Sequence, residues 1–231
     1  MWAGGSSDLL KAESWTRSSA LTAPTNPVHF GGPDNTWQEG NVVEAPSGEL
    51  WNVLRVNSQS AAWYNKAAVV ALDQGSRTMR FKQWVDGPFG TSKFAVRRDA
   101  SANAPPKYYA LSTNVTTEAA KLGCCWNGPG DCRYNLVLST SDDLLHWRVC
   151  RTLLHDDTGL SVADTCKYTG FEYPDWEFDG PDLVAGVRTA YRGAPTSNSA
   201  NRILSMRVKD FRAACKHDDG GAIAGAAPQH L

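Results

Sequence analysis

The 231-residue chain has almost no excess of either charge, because 23 Lys and Arg stand against 24 Asp and Glu. Binding to nucleic acid or to an anionic membrane surface needs a surplus of basic residues, so we expect no nucleic-acid partner. The chain also lacks an apolar run as long as a membrane-spanning helix, so we expect no membrane insertion. Its first residues, MWAGGSSDLL, lack the charged-then-apolar order of a signal peptide.

Motifs of several enzyme classes are missing as well. We find no phosphate-binding glycine loop, no Ser-His-Asp order and no cluster of metal ligands. The pattern CC-x6-C at Cys124, Cys125 and Cys132 does not fit zinc, which requires paired ligands two to four residues apart. We therefore expect neither a metal ion nor a cofactor.

The six cysteines fit two interpretations. Three of them lie in one glycine-rich loop, and Cys150 and Cys166 bracket another segment. Disulfides would place the protein outside the cell or in the lumen of the secretory pathway, whereas free buried thiols would fit either compartment. The pairing cannot be deduced from the sequence.

Helical periodicity is hard to find anywhere in the chain. Short apolar runs of about five to eight residues alternate with clusters of Gly, Asn, Asp and Pro, which is typical of an all-β domain. We predict that residues 1–215 form this domain. The Gly/Ala-rich residues 216–231 are predicted to form a flexible tail.

One construction occurs three times along the chain. Residues 172–191, EYPDWEFDGPDLVAGVRTAY, predict a strand, a turn at 179–182 and a returning strand. Two earlier segments have the same order and continue into a third and a fourth strand, whereas the last unit has a predicted third strand at 202–208 and no evident fourth. The residues at the heads of the three first strands are Glu39, Lys93 and Tyr173, and those at the ends of the second strands are Arg55, Asn114 and Arg188.

Four-stranded units repeated every fifty to eighty residues or so describe the blades of a β-propeller. The first strand of each blade lines the central channel, and its head opens on the same face as the end of the second strand. The six residues named above are therefore predicted to meet in one pocket. About three blades do not close a ring, so we expect the missing blades to come from an upstream segment or a partner chain.

Four sequence features resemble the sialidase (neuraminidase) superfamily of six-bladed propellers. The run TSDDLLHW at 140–147 is similar to the family's Asp-box turn, S-x-D-x-G-x-T-W, with Thr140 for Ser and Leu144 for Gly. Glu39 and Arg55 resemble its Glu and Arg one hairpin apart, and Arg133 resembles a second Arg before the box. The run Tyr173-Pro-Asp175 resembles its Tyr-x-Asp. The match covers residues 37–191, the C-terminal half of the family's catalytic domain.

The resemblance implies an exo-glycoside hydrolase that releases terminal sialic acid, or a related acidic sugar, from a glycan or sialoside. Tyr173 would be the nucleophile, Glu39 its base, and Arg55 and Arg133 the clamp on the sugar carboxylate, with Arg188 as a further candidate for binding that carboxylate. The family's first Arg and its acid/base Asp have no counterpart in this chain, and Arg188 stands where the family tends to have Glu.

Three further residues have predicted roles at the pocket. Asp175 is predicted to bind a sugar hydroxyl or to orient Arg188. Lys93 and Asn114 are predicted to contact the substrate at the pocket edge.

Two alternatives remain open. One is a carbohydrate-binding propeller without catalysis. The other is a furanosidase-type glycosidase with paired carboxylates, which a second channel carboxylate within about 10 Å of Asp175 would favour.

Overall fold

A computed structural model describes residues 2–3, 8–23, 36–58, 63–90, 92–100, 105–122 and 132–216 of the chain. Their regular secondary structure is nearly all β-strand, and the predicted tail lies outside the described residues except for Lys216. A short hairpin of β1 (Trp2–Ala3) and β2 (Trp15–Thr16) comes first. No helix in the described part is long and apolar enough to cross a membrane.

The hairpin is followed by three antiparallel sheets, which we call blades 1, 2 and 3. Blade 1 consists of β3 (Thr36–Glu44), β4 (Leu50–Asn57), β5 (Lys66–Asp73) and β6 (Thr78–Asp86). Blade 2 consists of β7 (Ala95–Asp99), β8 (Lys107–Thr113), β9 (Asn135–Ser141) and β10 (Arg148–His155). Blade 3 consists of β11 (Gly170–Asp179), β12 (Asp182–Ala190) and β13 (Arg202–Val208).

The first strands of successive blades lie side by side. Between β3 and β7, the side chain of Asn41 accepts from the Val96 amide at 3.1 Å and donates to the Phe94 carbonyl at 3.2 Å. Between β7 and β11, the indole of Trp176 donates to the Ala95 carbonyl at 3.0 Å. Buried apolar side chains fill the space between neighbouring blades. The chain is therefore an all-β, partial β-propeller of three blades, as predicted.

Two short helices were not predicted. The first, α1 (Thr117–Leu122), follows β8, and the second, α2 (Val162–Tyr168), lies between blades 2 and 3. With six and seven residues, they are too short for apolar periodicity to be recognised. Ser161 caps α2 by accepting from the Asp164 amide.

Two disulfides are present among the described residues. Cys132 is bonded to Cys166 of α2, and Cys150 of β10 is bonded to Cys215. The first bond ties the segment before β9 to α2, and the second ties the end of the described chain to blade 2. Cys124 and Cys125 lie outside the described residues.

In the turn between β9 and β10, Leu144 occupies the position that is glycine in the Asp box, and it adopts the positive φ that glycine favours. Leu144 adopts φ +68°, and the indole of Trp147 donates to its carbonyl at 3.0 Å. Asp143 accepts from the amides of Leu145 and His146, both at 2.8 Å. Burial opposes ionisation of Asp143, but these bonds and the His146 ring outweigh it and lower its pKa to about 2.

Candidate active site

A β-bulge in β11 directs the side chains of Glu172 and Tyr173 into different environments, one buried and one partly exposed. Glu172 pairs with Arg188 of β12, whereas the next paired residue, Asp175, lies opposite Gly186. Within the bulge, Tyr173 has φ +51°, a left-handed conformation that is rare for a bulky side chain. Glu172 is fully buried, whereas Tyr173 is half-buried. Bulges of this kind re-aim a side chain and are common beside active sites.

Arg55 of β4 brings three predicted residues together. Its Nη1 lies 3.1 and 3.4 Å from the two carboxylate oxygens of Glu39 and 3.4 Å from the phenol oxygen of Tyr173. Arg55 and Tyr173 are 118 positions apart in the chain. The convergence therefore depends on the packing of blade 1 near blade 3 across the channel, as the propeller prediction requires.

The carboxylate of Glu39 is kept ready to accept a proton. Its partial burial opposes ionisation, but its own backbone amide, Arg55 and the phenol of Tyr173 outweigh that effect and hold its pKa below the usual value of 4.5. Like Tyr173, Glu39 lies at a bulge, between Trp37 and Gly40 of β3, rather than at the head of its strand. A general base must be ionised and within reach of the proton that it removes. The lowered pKa keeps Glu39 ionised, and its carboxylate and the phenol oxygen of Tyr173 both contact Nη1 of Arg55.

Glu172 is a site residue that the sequence did not predict. Its carboxylate is 0% exposed, forms an ion pair with Arg133 and lies 3.5 Å from Nη2 of Arg188. Arg133 also donates to the side chain of Asn198 at 3.0 Å. Burial raises the pKa of Glu172, while the two guanidinium groups oppose that effect. The only signal in the sequence is an acidic residue directly before the tyrosine.

Arg188 lies beside the phenol ring, at the end of the second strand of blade 3. Its Cζ is 5.2 Å from the centroid of the Tyr173 ring. Nη2 donates to the backbone carbonyl of Asn198, and the side chain is 38% exposed. Arg188 is therefore anchored at one nitrogen and open to solvent on the remainder of the group.

Asp175 does not contact Arg188. Its carboxylate pairs with Arg97 of β7 at 3.1 Å, and Glu177 approaches the same nitrogen at 2.8 Å. The predicted role of Asp175 in orienting Arg188 is therefore wrong, because the bulge interrupts the alternation of faces and Glu172 takes that position. The second predicted role, binding of a sugar hydroxyl, stays a prediction.

Among the described residues, neither Lys93 nor Asn114 forms a hydrogen bond or ion pair with Glu39, Arg55 or Tyr173. Lys93 precedes β7 by two residues, is half-buried, and forms no ion pair with another described residue. The backbone of Asn114, directly after β8, donates to the carbonyl of Asn135 at 2.9 Å. Their contacts with a substrate stay predictions. In the described part of the chain, no group of three or more His, Cys, Asp or Glu side chains is arranged to hold a metal ion.

Comparison with known proteins identifies similar folds but no family. No family model and no curated protein sequence matches the chain. The solved structure of an α-L-arabinofuranosidase from Fusarium graminearum, in complex with an iminosugar inhibitor, is similar with a TM-score of 0.53 and 11% identity. The match covers 85% of this chain and 50% of that one, so the chain spans half the length of the enzyme.

Two further structures are similar at lower scores. One is the same organism's GH93 α-L-arabinofuranosidase with arabinobiose, at a TM-score of 0.49 and 11% identity over 80% of this chain and 48% of that one. The other is a GH43 β-1,3-galactosidase, with a TM-score of 0.47 and 9% identity over 82% of this chain and 36% of that one. At such an identity the likeness to the arabinofuranosidase shows a shared fold and nothing more.

Proposed function

We propose that the protein is a retaining exo-glycoside hydrolase that releases terminal sialic acid, or a related acidic sugar, from glycans. The observation that carries the proposal is the contact of one nitrogen, Nη1 of Arg55, with both Glu39 and the phenol oxygen of Tyr173. A phenol, a carboxylate and a guanidinium from two distant hairpins thus meet at one point. The resemblance of Glu39, Arg55, Arg133 and Tyr173 to the sialidase pattern supports the same conclusion.

The chemistry of an acidic sugar explains why the nucleophile is a phenol. A sialic acid carries a carboxylate on its anomeric carbon, and a carboxylate nucleophile would be repelled by it. A neutral phenol is not repelled, but its ordinary pKa of about 10 makes it a weak nucleophile until a base removes the proton. Glu39 is the base: it takes the proton of Tyr173 while the phenol oxygen attacks the anomeric carbon and the glycosidic bond breaks. Water then hydrolyses the glycosyl-tyrosine with retention.

The charges around Tyr173 favour a ligand with one negative charge. Three guanidinium groups, of Arg55, Arg133 and Arg188, stand against two carboxylates, of Glu39 and Glu172, which leaves one positive charge uncompensated. A sugar carboxylate would neutralise it, and guanidinium groups bind carboxylates through paired hydrogen bonds. Arg55 and Arg133 are the proposed clamp.

A furanosidase is the second candidate function. Asp175 and Glu177 approach one nitrogen of Arg97 at 3.1 and 2.8 Å. Because both oxygens contact one nitrogen, they lie closer together than the roughly 6.5–9.5 Å that separates the carboxyl groups of inverting glycosidases. The similar arabinofuranosidase fold is consistent with this function. Against it, both carboxylates are held in ion pairs with Arg97.

The test compares two fluorogenic substrates whose leaving group is a stable phenolate, so that no acid in this chain is required. One carries an α-linked sialic acid and the other an α-L-arabinofuranose. We expect the intact protein to release sialic acid. Release should be at least a thousandfold slower in Tyr173→Phe and unchanged in Tyr168→Phe. Hydrolysis of the arabinofuranoside that depends on Asp175 would instead identify the furanosidase, and glycan binding without turnover would identify a carbohydrate-binding propeller.

We propose further that the protein acts outside the cell or in the secretory lumen. The two disulfides, Cys132–Cys166 and Cys150–Cys215, support this location, because disulfides persist in oxidising compartments. Mass analysis of the alkylated, unreduced protein purified from its natural source would detect the bonds. Four free thiols at these positions would contradict the proposal.

A further inference from the structure

Arg188 lies close enough to the ring of Tyr173 to act on the phenol directly. Its guanidinium lies 5.2 Å from the centroid of the Tyr173 ring, within the range of about 6 Å at which a cation is attracted to an aromatic face. Nη2 is anchored by the Asn198 carbonyl and by Glu172. This anchoring fixes the guanidinium over the ring, so its position does not depend on a bound ligand.

The positive charge of Arg188 is less compensated by neighbouring carboxylates than that of the other two arginines of the cluster. Arg55 is directly paired with Glu39 at 3.1 Å, and Arg133 takes the closer contact with Glu172. Arg188 shares that same carboxylate at 3.5 Å. Within the described residues, its Nε and Nη1 donate to no protein acceptor, so its positive charge can interact with the neighbouring ring of Tyr173.

We propose that Arg188 activates Tyr173 by stabilising the negative charge that develops on the phenol as its proton moves to Glu39. The catalytic meaning of this step rests on the proposed function. The O–H bond of Tyr173 breaks, its proton goes to Glu39, and its electron pair forms the bond to the anomeric carbon while the leaving group departs with the glycosidic electron pair. Arg188 takes no part in bond making, and is a positioning residue that acts through Tyr173.

Chemical acylation of tyrosine tests this activation without any substrate. N-acetylimidazole acylates phenols through their ionised form, and peptide mass spectrometry gives the rate for each tyrosine in the intact protein. Arg188→Met is expected to slow acylation of Tyr173 by roughly three- to tenfold, the effect of one partly exposed guanidinium near a ring. Arg188→Lys, which keeps the charge, should restore at least half of the wild-type rate.

The chain offers a matched control for this experiment. Arg192 lies over the ring of Tyr191 at the same centroid distance, 5.2 Å, away from the proposed site. Arg192→Met should leave the rate of Tyr173 unchanged, and Tyr168 provides an internal standard in every digest. A merely structural or shielding role predicts the opposite result, because loss of the Arg188 side chain would uncover Tyr173 and accelerate its acylation. An unchanged or faster rate in both Arg188→Met and Arg188→Gln would overturn the proposal.

Turnover of the fluorogenic sialoside separates failure of this inference from failure of the proposed function. Arg188→Met should lower kcat by a similar factor, since the effect arises as charge develops on the phenol, and the weaker attraction for the anionic sugar should appear separately as a higher KM. If the wild-type protein releases no sialic acid but Arg188→Met still slows the acylation of Tyr173, the proposed function is refuted and the activation of Tyr173 by Arg188 stands. Turnover that requires Tyr173 but is insensitive to Arg188 would refute the activation alone.

Discussion

Replacing Glu172 by alanine is expected to be among the most destabilising single changes in the chain. The carboxylate is 0% exposed and the paired side chain of Arg133 only 6% exposed. Removing one partner of a buried ion pair leaves the other charge uncompensated, which costs about 3–5 kcal/mol. Because domains of this kind are stable by about 5–15 kcal/mol, the variant would lose a large part of its free energy of unfolding.

Urea unfolding followed by tryptophan fluorescence measures this loss. Replacing both partners, in Glu172→Met with Arg133→Met, should recover most of it, because a buried ion pair exchanged for apolar side chains of similar size is often neutral or stabilising. Glu44→Ala is the matched control: Glu44 pairs with Arg98 at 3.3 Å in a solvent-exposed position, so the loss should stay below about 1 kcal/mol. A loss below about 1 kcal/mol in Glu172→Ala, or a double variant as unstable as the single one, would refute the reasoning.

Three further predictions concern the turn, the bulge and a disulfide. Folding lowers the pKa of Asp143 from 3.8 to about 2, so the ionised carboxylate stabilises the fold above pH 3.8 and this stabilisation is lost as the pH falls through 2. Asp143→Asn should abolish this pH dependence of the free energy of unfolding and, after allowance for solvent screening, cost about 1 kcal/mol at neutral pH. In urea unfolding, Tyr173→Gly should be about 1 kcal/mol more stable than Tyr173→Ala, because glycine relieves the strain at φ +51°; equal stabilities would refute the strain. Cys150→Ser with Cys215→Ser, which opens a 65-residue separation, should lower the free energy of unfolding by up to about 4 kcal/mol, and an unchanged urea midpoint would contradict this.

Most strands could be predicted because turn-forming residues punctuate them. The turn at 179–182 separates β11 from β12 as the Asp-Gly-Pro-Asp run predicts. The predicted third strand of the last unit, at 202–208, is β13 (Arg202–Val208). The convergence of Glu39, Arg55 and Tyr173 could be predicted for a different reason: a radial arrangement of hairpins places their open ends on one face regardless of the distance along the chain.

The errors at the site come from backbone irregularities. A bulge adds a residue and reverses the alternation of faces, so the position of Asp175 could not be counted from Tyr173. The same bulge buries Glu172 beneath the two arginines, a contact that depends on the pairing of β11 with β12. Cross-blade partners such as Arg97 and Asp175 are set by the packing of adjacent blades, for which the sequence carries no local signal.

Locating the covalent intermediate would show directly whether Tyr173 is the nucleophile. A fluorinated sialosyl donor with a good leaving group forms a glycosyl-enzyme that hydrolyses slowly, so its adduct can be mapped by tandem mass spectrometry after digestion. We expect a single glycosylated residue, Tyr173, and no adduct in Glu39→Gln, where the base is lost. An adduct on Asp175 or Glu177, or no adduct on any tyrosine, would contradict this expectation.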